Sequence, residues 1–303
     1  MKNKLTSNAA LLLAAIIWGF AFVAQVEGTK HIGSFTMIGI RFLIGIIALL
    51  PVMLIFERGR TEKAERVRTL KASLITGTVL FCASALQQFG IQITSSAGVS
   101  GFITGLYMIL VPLSYFLFFR RKTGFNVWVG AIVALAGLVL LCFKQGEGFA
   151  FGIGELLLLL GSFFWTAHVM LIDHFSKDLR SLHYSWGQFA VCAVWGLIFM
   201  FAFEDVTMAS LIDAKWALLY CGVMSSGIAY TLQVIGQKHA DPSYAVIILS
   251  TESAFSAIGG ALFGIDNISI VGYIGCILMF VGIICTQIAP KRKNNSIREY
   301  SAD

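Results

Sequence analysis

The chain has 303 residues, 57% of them hydrophobic and only 13% charged, with a mean hydropathy of +0.82, whereas soluble domains carry about 25% charged residues. This composition excludes an ordinary soluble domain and describes a polytopic membrane protein. The formal net charge of +6 does not point to nucleic acid, because the basic residues lie in short loops between apolar runs, where the orientation of membrane spans accounts for them.

Ten apolar runs follow one another: Ala9 to Val26, Phe35 to Phe56, Ala72 to Ile93, Val99 to Phe119, Phe125 to Phe143, Gly152 to Ile172, Tyr184 to Phe203, Trp216 to Gly236, Tyr244 to Gly264 and Ile270 to Ile288. Each is close to the length of about 20 residues that crosses a bilayer as a helix. None alternates with the period of two that marks a barrel strand. The first run follows Lys2 and Lys4 but is longer than the apolar core of a signal peptide and has no small-x-small cleavage site, so it is read as the first span. The mixed charges from Glu57 to Lys71 predict a solvated loop or a surface helix. Cys82, Cys142, Cys192, Cys221, Cys276 and Cys285 all fall inside apolar runs without CxxC or CxxH spacing. They read as small core residues, so no disulfide framework, metal site or cofactor is expected.

With the N-terminus in the cytoplasm, all of the 22 lysines and arginines except Lys30, Arg41, Lys144 and Lys215 lie on the cytoplasmic side. Both termini are therefore predicted to be cytoplasmic. The second half also matches the first at a shift of 145 to 147 residues. Trp18 falls on Trp165, Arg41-Phe42 on Gln188-Phe189, Leu86-Gln87 with Gly90 on Leu232-Gln233 with Gly236, and Gly130 with Gly137 on Gly275 with Gly282. Each half holds five spans, and because five is odd the second copy enters the membrane from the opposite side. The expected architecture is an all-α membrane protein of ten transmembrane helices in two inverted five-helix repeats. Residues 1–146 and 147–290 form the repeats, and residues 291–303 form a basic cytoplasmic tail.

The opening LLLAAIIWGFAFV, the RF pair at Arg41, GAIVALAG at Gly130, WTAHVML at Trp165 and GCILMFVGI at Gly275 resemble the EamA-type members of the drug/metabolite transporter superfamily over essentially the whole chain. The resemblance implies a central cavity between the halves, location in the cell (inner) membrane and transport of a small metabolite, often as export. It also places the fifth and tenth helices at the edge, where a homodimer contact is conceivable. Family members commonly end the fourth and ninth spans with a Gly-Glu pair. Here the corresponding residues are Arg120-Arg121 and Ile265-Asp266, so the acid's structural role is expected to be absent in one half and shortened in the other. Pro112 marks the fourth span, while the ninth has Ala257 near the matching place and is expected to be straighter.

Glu252, near the middle of the ninth run, is the leading candidate for chemistry, because a charge at that depth costs several kcal/mol unless it faces protein or water. It reads as a proton acceptor or partner of a cation, or alternatively as a protonated acid that joins two helices. Ser256 lies one turn further on. His168 lies one turn after Trp165 and suits a proton relay or a packing role. With Asp173 it also matches an HxxxxD acyltransferase pattern, which keeps an intramembrane enzyme as an alternative beside a non-transporting sensor or scaffold.

Trp18 and Trp165 are expected to face each other across the centre and to wall a substrate pocket or offer cation-π contacts. Gln25, Gln87, Gln88 and Gln233, with Tyr107, Thr104 and Tyr230, either join helices or line a wet cavity. Arg41 is expected to snorkel outward or to pair with Glu27 or Glu155 as an anchor or gate. The glycines around Gly130 and Gly275 read as helix-packing seams. The function expected from these residues is alternating-access transport of a small organic solute, with proton coupling motivated by Glu252 and His168. No Walker A sequence is present to couple the chain directly to ATP.

Overall fold

A chain segment in hydrocarbon has no water to satisfy its N–H and C=O groups, so long apolar runs close their hydrogen bonds internally as helices. The computed structural model describes residues 2–59, 62–120, 124–141, 143–144, 148–149, 151–239, 242–266 and 268–287. Arg121, Lys122, Cys142 and the basic tail from Lys291 lie outside the described residues. The helices are α1 (Lys2–Gly28), α2 (Ser34–Phe56), α3 (Lys63–Thr94), α4 (Ala97–Gly105), α5 (Tyr107–Phe119), α6 (Phe125–Leu141), α7 (Ile153–Phe175), α8 (Ser181–Phe203), α9 (Met208–Asp213), α10 (Lys215–Leu219), α11 (Tyr230–His239), α12 (Pro242–Leu262) and α13 (Ile270–Gln287). A π-helical segment, Tyr220–Ala229, joins α10 to α11, and a two-residue antiparallel pair, Phe143–Lys144 with Gly148–Phe149, lies between α6 and α7.

Among the described residues, seven helical stretches are long and apolar enough to cross a membrane: Thr6–Gly28, Ser34–Phe56, Lys63–Thr94, Ala97–Phe118, Ile153–Phe175, Ser181–Phe203 and Lys215–Lys238. Trp128–Leu141 and Ile270–Cys285 are apolar but shorter. The 21 residues of α12 carry one charged side chain, Glu252.

Three elements depart from uniform rods. The charged stretch before the third run is helical from Lys63 and continues without a break into α3, because its exposed side chains can project into water while the backbone bonds run on. The fourth run breaks at Leu106, ahead of Pro112, whose ring removes one backbone donor. In contrast, α12 is continuous from Pro242 to Leu262. The eighth run widens over Tyr220–Ala229 into π-helix, a form associated with functional sites.

The long helices are tied together at their ends. Glu204, just after α8, accepts hydrogen bonds from the backbone N–H groups of Phe35 (2.8 Å) and Thr36 (2.7 Å) and from the Thr36 hydroxyl (2.6 Å) at the start of α2. Glu57, just after α2, accepts from the N–H groups of Leu182 and His183 (both 3.0 Å) and bonds the His183 ring Nδ1 (2.6 Å) at the start of α8. Each carboxylate satisfies donors that a helix N-terminus leaves open and complements its dipole. The two caps set α2 and α8 antiparallel, and the Phe42 and Phe189 rings meet between them, 5.8 Å apart.

Similar contacts recur elsewhere. A Cβ added at Gly90 would lie 2.6 Å from Leu158 Cγ, and one at Gly236 would lie 2.6 Å from Leu11 Cγ. In the α6–α13 pair, a Cβ at Gly137 would lie 2.6 Å from the Gly275 carbonyl oxygen, and one at Gly282 would lie 2.6 Å from that of Gly130. The expected glycine seam is thus used within the chain, while Ile132, Leu135, Ile274 and Ile277 remain exposed on these two helices.

Asp266 corrects the expectation of a shortened role. Its carboxylate accepts from the Ser96 hydroxyl (2.7 Å) and from the N–H groups of Ala97 (2.9 Å) and Gly98 (2.7 Å), capping α4. At the matching start of α12 stands Pro242, which has no N–H to satisfy.

Candidate functional site

Both halves of the chain send polar and aromatic side chains into one central cavity. On α1, Trp18, Phe22 and Gln25 recur at helical spacing and so share a face, and on α7 Trp165 and Val169 do the same. Arg41 comes from α2, Gln87 from α3, Thr104 and Tyr107 from either side of the Leu106 break, Ser225 from the π segment, Tyr230 and Gln233 from α11, and Glu252 from α12. The cavity volume is about 30 Å³. A water needs about 10–15 Å³ of such space, so the cavity holds about two waters beside its polar groups.

Tyr230 is the ring on which both tryptophans pack. Trp18 meets it edge-on at 4.7 Å between centroids, and Trp165 stacks on it at 6.1 Å. Both tryptophans line the cavity, each in contact with the Tyr230 ring. The Trp18 Nε1–H donates to the Ser225 carbonyl at 3.4 Å, a contact that depends on the π segment, whereas Trp165 Nε1 has no partner.

Arg41 departs furthest from expectation. It does not snorkel outward but is 1% exposed, and Nη1 donates to Gln25 Oε1 at 2.8 Å. Gln25 is itself held by its Nε2 donating to the Ala21 carbonyl at 3.1 Å. Neither carboxylate named as its partner is engaged with it. Glu27 pairs with Lys30 at 2.6 Å near the surface, and Glu155 accepts from the Gly152 N–H at 2.9 Å at the start of α7.

Glu252 is 4% exposed and hydrogen-bonds with the Tyr107 hydroxyl. Its backbone also lies against α1, since a Cβ at Gly19 would come within 2.9 Å of the Glu252 carbonyl oxygen. Gln87 donates to the Thr104 hydroxyl at 3.3 Å, and Gln233 Oε1 has no partner.

Several residues singled out in the sequence stand apart from the cavity. His168 is fully buried behind Trp165, ring to ring at 5.6 Å, with Nε2 bonded to Gln188 Oε1 at 3.0 Å. Gln88 is fully buried elsewhere on α3, Ser256 donates to the Ser253 carbonyl at 2.8 Å, and Glu155 is the α7 cap. Asp173 is engaged with Tyr115 (3.3 Å) and Lys177 (3.1 Å), beside a separate small cavity, so the HxxxxD residues do not converge. Phe22 and Val169 were missed, although each follows a tryptophan by one turn. Ser225 had no such signal. Among the described residues, no group of three or more His, Cys, Asp or Glu side chains could hold a metal ion.

The arrangement, a narrow cavity carrying polar side chains among apolar helices, is that of a membrane transporter. The EamA-like transporter family matches residues 5–143 and again 152–287, and the chain belongs to that family, within the drug/metabolite transporter superfamily. It is 24% identical over 290 residues to an "Uncharacterized transporter" of Archaeoglobus fulgidus, covering 94% of this chain and 87% of that one. It is 22% identical to the "Uncharacterized transporter YoaV" of Bacillus subtilis, covering 93% and 97%, and 23% identical to the "Uncharacterized inner membrane transporter YedA" of Escherichia coli K12, covering 91% and 89%. A solved crystal structure shares the fold with a TM-score of 0.69 at 20% identity, covering 93% of this chain and 96% of that one. The chain is a multi-pass protein of the inner membrane.

Proposed function

We propose that the protein is a secondary transporter that exports a small organic metabolite by alternating access, with its substrate site in the central cavity. The observation that carries this reading is the lining of the cavity. It places Glu252 and Arg41, two costly groups within spans, among aromatic and amide side chains contributed by both halves. Ionisable groups buried in a span mark solute or ion pathways by default. Trp18, Trp165 and Tyr230 shape the pocket, and Gln25, Gln87, Gln233 and Tyr107 orient a polar substrate.

The moving parts in this proposal are two inverted five-helix repeats, residues 1–146 and 147–290, ten spans in all, with both termini in the cytoplasm. Two findings support it. The family matches the chain twice, once per half. The caps by Glu57 and Glu204 also join equivalent positions in opposite directions: 57 and 204, 35 and 182, and 36 and 183 each differ by 147. Such reciprocity is what a two-fold axis in the membrane plane generates. The distribution of Lys and Arg supports this orientation.

Proton coupling through Glu252 completes the proposal, with His168 placed behind Trp165 as a supporting group. In proteoliposomes with an imposed pH gradient, wild-type flux is expected to follow the gradient and Glu252→Gln flux to ignore it. Wild-type gradient dependence in the Glu252→Gln protein overturns the coupling.

A further inference from the structure

We infer that the central cavity recognises its substrate through a carboxylate, held bidentately by Arg41; this deepens the transporter reading and rests on it for the location of the site. A guanidinium stays charged at any physiological pH and offers five N–H donors in a fixed plane. Nη1 donates to Gln25, and the guanidinium also interacts with the Cys221 thiol and the Phe42 ring. Among the described residues, Nε and Nη2 are buried and make no hydrogen bond to a side-chain or backbone oxygen. These two nitrogens form one edge of the guanidinium, with parallel N–H bonds, and that edge is the geometry of a fork-to-fork pair with a carboxylate.

The side chain is 1% exposed and lines the cavity, so the free edge has neither bulk water nor, among the described residues, an acid to meet. Glu252, the carboxylic acid among the lining residues, is engaged with Tyr107. A buried charge without a counterion is costly, and an arriving carboxylate relieves that cost in the bound state. Gln25 acts as a positioning residue, because it fixes Nη1 while Nε and Nη2 keep their hydrogen-bonding capacity. The unpartnered Trp165 Nε1 and the stacked Trp165 and Tyr230 rings provide a donor and flat apolar walls for the rest of the molecule.

The carboxylate can belong to a simple acid or to a zwitterion whose ammonium meets Glu252, and matched probes separate the two. Phenylacetate, phenylalanine and phenethylamine carry the acid alone, both groups and the amine alone on one body; a panel of small carboxylates with their amine counterparts extends the set. Binding to purified protein in detergent is read by calorimetry and thermal shift. At least one carboxylate is expected to bind wild type and to lose roughly tenfold to a hundredfold in affinity in Arg41→Gln, as expected for a charged hydrogen-bonded pair. Loss on Glu252→Gln as well identifies the zwitterion, and retention identifies the simple acid.

Arg41→Met is expected to raise the melting temperature of the ligand-free protein, because it removes an uncompensated charge. A fall in that temperature assigns Arg41 to the fold and overturns the inference. So does unchanged carboxylate affinity in Arg41→Gln, binding of amines alone, or no carboxylate binding to wild type. Counterflow in proteoliposomes keeps the two proposals apart. Arg41-dependent binding without flux overturns transport and leaves the carboxylate site standing, whereas flux that is indifferent to Arg41→Gln does the reverse.

Discussion

The two halves of the chain pack alike and differ in chemistry. Gly90 against Leu158 matches Gly236 against Leu11, Gly137 against Gly275 matches Gly282 against Gly130, and the cap by Glu57 matches the cap by Glu204. At the cavity the equivalent positions diverge. Arg41 presents a free edge, but its counterpart Gln188 is turned onto His168. Tyr107 and Glu252 are counterparts too, and they bond each other. Packing depends on shape, which a repeat can use twice, whereas binding an asymmetric solute needs different groups on the two sides of one pocket.

The steepest test of that contrast is at the seam. Gly137→Val and Gly282→Val each push a side chain into backbone that cannot rotate away. Each is expected to cost about 3 kcal/mol, the upper end of overpacking, read as a fall in melting temperature in detergent. Similar losses sharpen the likeness of the halves, and a large inequality breaks it.

At the cavity the effects should be unequal. Arg41→Gln is expected to lower flux tenfold to a hundredfold, the scale of about 1.5–3 kcal/mol for a charged hydrogen-bonded pair. Gln188→Ala removes one neutral bond, worth about 1 kcal/mol, and should lower flux by no more than about fivefold. Equal effects at the two positions break the contrast. Glu252→Gln should abolish the response of flux to a pH gradient while Tyr107→Phe keeps it, as measured in the same vesicles. The smallest effects belong to the caps. Glu57→Ala and Glu204→Ala should each cost about 1 kcal/mol, and the double variant should show their sum, because the caps lie at opposite ends of α2 and α8.

Much of the fold was legible because hydrocarbon permits few backbone solutions. Run length marked the apolar helices, Pro112 set the fourth run apart from a straighter ninth, and the glycines around Gly130 and Gly275 read as packing seams, which the structure pairs with each other. Trp18 and Trp165, read from the sequence as pocket walls or packing groups, and Gln25 and Gln233, read as helix-joining or cavity-lining amides, all line the cavity. Other features had no local signal. The π segment arises where Gly222 and Gly227 allow the eighth run to pack closely on α2, and it alone brings the Ser225 carbonyl to Trp18. Asp266 looked like a remnant of a family pattern until its three donors on α4 were visible. His168 and Trp165 share a helix face, yet the nearer ring closes the cavity and leaves the other behind it.

The sequence by itself determined the membrane class, the positions of most apolar helices and the family, since each follows from run length, polarity and residue pattern along one chain. Only the tertiary structure decided which polar residues share a pocket. It turned Arg41 inward onto Gln25, paired Tyr107 with Glu252 and set Tyr230 against both tryptophans. The reason is physical: polarity says that a buried group needs a partner, but which partner lies within about 3 Å depends on how distant helices pack.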